Sequence, residues 1–83
     1  MRPVDEKYKW YLYDLGYILK ERALQAKEEK GATEENTLER EFQSGRVIAF
    51  NEVISIMQQQ AKGFDIPLDD MRLNDIEPDR DLT

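Results

Sequence analysis

The densest run of chemically competent side chains is Asp75-Ile76-Glu77-Pro78-Asp79-Arg80-Asp81, with a carboxylate at every second residue. A calcium-binding EF-hand loop spaces its first oxygen ligands in this way. It also requires glycine at its sixth position and glutamate at its twelfth. The sixth position here is Arg80, and the sequence stops at Thr83, before a twelfth. The run therefore predicts no calcium site. Histidine and cysteine are both absent. That removes histidine acid–base chemistry, both common nucleophile triads and nearly all zinc sites. Di-iron bundles need Glu-x-x-His motifs, which cannot be written here. Ser44 and Ser55 have no activating base nearby. Gly16, Gly31, Gly45 and Gly63 are isolated, so no phosphate-cradling loop is present. Glu35 and Glu39 share a helix face and read as solvated. With nucleophile, base and metal set all missing, the expectation is a protein that is not an enzyme and needs no cofactor and no metal.

Charge points the same way. Residues 1–63 carry eleven acids and ten bases, whereas residues 64–83 carry seven acids and two bases. A near-neutral body with an acidic end lacks the clustered basic face that nucleic acid demands. No apolar run approaches the length of a membrane span, and no secretory signal pattern opens the chain. With no cysteine to pair, the cytoplasm is the expected compartment.

The elements that would carry any site are helical. Pro3 suits a first helical turn, and Asp5 and Glu6 complement the positive end of the helix dipole. A helical pattern then runs to about Lys30, with Gly31 as the expected stop. Residues 31–37 are a polar connection, with Thr33 or Asn36 as the N-cap of a second helix. That helix runs to about Lys62, with Gly63 as its C-terminal glycine and Phe64 or Ile66 folding back.

Both helices are apolar over more surface than one neighbour can bury. On the first, Val4, Tyr8, Tyr11, Leu12, Leu15, Ile18, Leu19, Ala23 and Ala26 share one face, while Trp10, Tyr13, Tyr17 and Leu24 share the opposite one. On the second, Leu38, Phe42, Ala49, Val53 and Ile56 form one strip. Val47, Phe50, Ile54, Met57 and Ala61 form an adjoining strip. In a hairpin turning near Gly31, Gly16 falls opposite Gly45, Leu12 opposite Ala49 and Leu19 opposite Phe42. Gly16 and Gly45 are therefore expected to mark a close helix crossing. Arg46, beside Gly45, is expected to lay its stem on the core, with Asp14 as a possible partner.

The surplus stripe, Trp10, Tyr13, Tyr17 and Leu24 with Val47, Phe50, Ile54 and Met57, is the expected interface. The fold class is thus all-α: an antiparallel hairpin of two long helices with its C-terminal segment packing back, forming a four-helix bundle as a dimer. Residues 1–76 are expected to form the domain and 77–83 a mobile acidic tail. The expected partners are a second copy or another protein, with no nucleic acid and no membrane. The expected role is a non-enzymatic interaction or regulatory module. An acidic inhibitor mimicking nucleic acid and a helical subunit of a larger assembly are the alternatives.

Overall fold

In the computed structural model, which describes the backbone from Pro3 to Thr83 and the side chains from Glu6 onward, two long helices lie antiparallel. Helix α1 spans Pro3–Gly31 and α2 spans Leu38–Gly63. A 3-10 turn over Leu68–Met71 and a short helix α3 over Pro78–Asp81 complete the chain, and no strand occurs among the described residues. The side chains of Val4 and Asp5 fall outside the described residues.

Local chemistry sets the ends. The N-cap of α2 is Thr37, not Thr33 or Asn36: its hydroxyl accepts from the Arg40 N–H at 3.1 Å while its backbone is extended. Thr33 instead donates its hydroxyl to the Lys30 carbonyl at 2.6 Å, and Asn36 sits at φ 63°, a left-handed conformation incompatible with an N-cap. Thr37→Ala should therefore destabilise the protein by about 1 kcal/mol, read by chemical denaturation. The same change at Thr33 should leave the α2 cap intact.

Gly63 does not adopt the left-handed stop expected of it. It is the last residue of α2, and Asp65, at φ 55°, makes the reversal. The Ile66 N–H then donates back to the Ala61 carbonyl at 2.8 Å. Ile66, rather than the exposed Phe64, folds onto the helix end.

From that reversal, residues 64–83 return along the groove between the helices. Met71, Leu73, Ile76 and Leu82 are 0–6% exposed, and with Ala23, Ala26, Val47, Ile54 and Ala61 they form the core. The hairpin alone supplies only three alanines, a valine and an isoleucine to that list. The returning segment is thus a structural part of the domain.

Two expectations fail here. Residues 77–83 do not hang free. Pro78 and Leu82, one helical turn apart, are buried against α2, and the Asn51 amide donates to the Pro78 carbonyl at 2.9 Å and the Leu82 carbonyl at 3.1 Å. Nor do Gly16 and Gly45 face each other. A Cβ built at Gly45 meets nothing within 4 Å, whereas one at Gly16 falls 1.8 Å from the Met71 carbonyl oxygen. The close approach at Gly16 is to the returning segment. The cause is register: the connection is centred beyond Gly31, between Glu34 and Glu35, so α2 slides along α1. Leu12 accordingly lies beside Met57 and Ala61, and Ala49 is exposed.

Candidate interaction face

The groove between two antiparallel helices has two sides, and the returning segment occupies one. Its anchors on α1 follow helical spacing. Tyr13 and Tyr17 lie under the Arg72 guanidinium, with its carbon 5.1 and 4.2 Å from the ring centroids. Gly16 meets Met71, and Lys20 donates to Asp75 at 2.9 Å. Arg72 reaches the rings because its backbone turns left-handed at φ 55°. On α2, the Gln58 amide donates to the Leu73 and Ile76 carbonyls at 3.1 and 2.9 Å, two turns from Asn51. Each amide bonds two carbonyls of the returning segment beside the core; of these, the one at Pro78 also accepts from the Leu82 N–H at 2.8 Å.

The opposite side of the groove is uncovered. On α1 it presents Tyr8, Tyr11 and Ile18, and on α2 Phe42, Val53 and Ile56, all between 41% and 66% exposed. These residues stand about half a helical turn from the anchors just named. At one end the face deepens into an apolar cavity of about 210 Å³, where Leu12 and Met57 meet Ile56, Phe64 and Met71. Among the described residues, the one ion pair bordering this side joins Arg46 of α2 to Glu29 of α1, with Gln43 also accepting from the guanidinium at 2.8 Å. Arg46 thus pairs with Glu29, not with Asp14. A cluster of exposed apolar side chains on one side of a small protein marks a contact surface.

The expected interface residues fall elsewhere. Val47 and Ile54 are fully buried within the chain and cannot meet a partner, whereas Phe50 and Met57 pack against them half-buried, Met57 also lining the cavity at the end of the open face. Tyr13 and Tyr17 are held by Arg72. Trp10 and Leu24 remain 54% and 41% exposed at the outer edge of α1, where Trp10 meets Tyr13 edge-on at 5.5 Å. The two strips assigned to the inside of the hairpin, Tyr8-Tyr11-Ile18 and Phe42-Val53-Ile56, form the open face. The signal that would have found it is the centre of the connection, which fixes which strip of α2 meets α1.

Of the alternating carboxylates, Asp75, Glu77 and Asp81 are each engaged with a base. Asp75 pairs with Lys20. Asp81 accepts from Arg80 Nε at 2.8 Å and from the Glu77 N–H at 2.9 Å. Among the described residues no three acidic side chains converge on a common point. The hydrogen bond from Lys20 holds the Asp75 carboxyl below its ordinary value. Arg80, helped by the Glu77 N–H, pulls Asp81 down from 3.8 to about 2. Both values are depressed in the folded state, so both groups add stability above the ordinary carboxylate range and lose it as pH falls through the folded values. The thermal midpoint should therefore drop as pH goes from 3.8 toward about 2. Asp75→Asn and Asp81→Asn should each flatten that acid limb in melts followed by Trp10 fluorescence.

No protein-family model, curated protein or solved structure matches this chain.

Proposed function

We propose that this chain is a non-enzymatic protein-interaction module that docks its partner on the open face of the hairpin. The observation that carries this is the asymmetry of the groove. One side is sealed by the chain's own segment, and the other leaves Tyr8, Tyr11, Phe42 and Ile56 more than half exposed. Exposing that much apolar surface offsets stability a domain this size has little of, so its persistence argues for a use. Two long helices side by side present a shallow channel suited to further helices. Two such hairpins would make a four-helix bundle. The cytoplasm is the compartment we assign, and no described helix is long and apolar enough to cross a membrane.

The test is a pair of charge substitutions within the face. Ile18→Glu and Val53→Glu should abolish binding of a hydrophobic dye while leaving helicity and melting near the parent's, because both side chains are already 41–50% exposed. Loss of helical signal in both would show that the face is core, and unchanged dye binding would place the sticky surface elsewhere.

A second reading, an acidic inhibitor of a basic protein, draws support from the other side. Asp65, Asp69, Asp70, Asp75, Glu77 and Asp79 are all exposed on the returning segment. Its two arginines are engaged, Arg72 on tyrosine rings and Arg80 on Asp81. That surface carries the segment's seven acids against two arginines, offset in part by Lys20 of α1 on Asp75. Saturable, salt-sensitive binding to a cationic protein that is lost on Asp69→Asn with Asp70→Asn would favour it.

A further inference from the structure

We propose that the occupant of the open face is a second copy of this chain, the two hairpins meeting face to face about a twofold axis to close a four-helix bundle; this rests on the open face being the docking surface. Size is the first argument. Tyr8, Tyr11, Phe42 and Phe64 are 64% to 73% exposed. An enclosed aromatic side chain buries 150–250 Å², so these four leave about 500 Å² to be covered. With Ile18, Val53 and Ile56 at 41% to 51% exposure, the face offers roughly 750 Å², close to the ~800 Å² each partner gives to a standard stable interface.

Charge is the second argument. The chain carries a net charge of −6, which would oppose pairing if the acids met. Seven of the eighteen acids lie in residues 64–83, on the side of the groove turned away. The open face itself holds Arg22 and the internally paired Arg46 and Glu29, with Asp14 and Glu39 exposed at its edges one helical turn from Ile18 and Phe42.

Outline is the third. On α1 the apolar members sit at positions 8–18, in the half remote from the connection. On α2 they extend back to Phe42, close to it. The apolar band therefore runs the length of α2 and widens onto α1 at the end remote from the connection. A twofold axis lying along that band lays it on its own copy and leaves Arg22, Gln25 and Gln60 as a polar rim. A patch that is its own complement is what a closed dimer requires.

Solution mass of the full chain, followed from low micromolar to near-millimolar concentration, tests the proposal. The mass should rise from 9.8 kDa to twice that and stop. Ile18→Glu and Ile56→Glu should each weaken association at least tenfold with parental helicity, while Leu24→Glu should pair as the parent does. A parent that stays monomeric throughout overturns the second copy as occupant. If dye binding then persists in the parent and is lost in Ile18→Glu, the docking face itself stands and takes a foreign helix. A mass that climbs past two copies overturns the closed twofold arrangement. A dimer that survives both open-face substitutions but not Leu24→Glu overturns the occupant and the face together.

Discussion

Gly16→Ala should unseat the returning segment, whereas the same substitution at Gly45 should stabilise the protein. The two glycines lie in the interiors of long helices, and each costs about 1 kcal/mol against alanine in helix propensity. At Gly45 nothing lies within 4 Å of the added methyl, so the gain is realised and the midpoint rises. At Gly16 the methyl would sit 1.8 Å from the Met71 carbonyl oxygen. That atom belongs to the backbone and cannot rotate away, so the whole segment must move. Overpacking of this kind costs about 1–3 kcal/mol or more and outweighs the propensity gain. The expected net loss is about 1–2 kcal/mol, which for a domain this size lowers the midpoint by several degrees. Denaturation below the association range reads both variants on the single chain. Equal stabilisation by the two would mean that the segment does not lie against Gly16.

Leu82→Ala should be among the most damaging single truncations outside the two long helices. Leu82 is 1% exposed at the far end of the segment, and burial that complete makes leucine-to-alanine changes cost about 2–5 kcal/mol. Deleting residues 77–83 should cost at least as much, because it also removes Pro78 and the two carbonyls that accept from Asn51. The Asn51 amide would then lose both acceptors beside the core. Urea denaturation of the parent, Leu82→Ala and the deletion compares the three directly. A deletion that leaves the midpoint unchanged would show that the acidic end contributes nothing to the fold.

The helices were legible in the sequence because their signals are local and repeated. Helical spacing of apolar residues, Pro3 at one start and the lysines near each end suffice to place α1 and α2 within a residue or two. The return of the chain after Gly63 was legible through Ile66 and Met71. Register was not, because it depends on where a six-residue polar connection is centred, and no residue within it states that. A shift of a few residues was enough to exchange the inner and outer strips of α2. It turned Val47 and Ile54 from interface into core, and Phe42 and Val53 from core into surface. Leu82 was missed for another reason. It is a lone leucine among four charges, and its burial comes from a single helical turn that sets it beside Pro78 against α2. Gly16 does not face Gly45; the backbone that approaches it, at Met71, lies 55 residues away in sequence, where no periodicity connects the two.

The most direct test of which side of the hairpin makes contact uses the absence of cysteine. Ala49→Cys places one thiol on the open face, and Leu24→Cys places one at the outer edge of α1, both at exposed positions. Thiol labelling rates should be similar for the two variants in dilute solution. On raising the protein concentration, the rate for Ala49→Cys should fall with the onset of association while that for Leu24→Cys stays constant. Protection of Leu24→Cys with Ala49→Cys unaffected would contradict the account, placing the contact on the Trp10 side and leaving the open face without a partner.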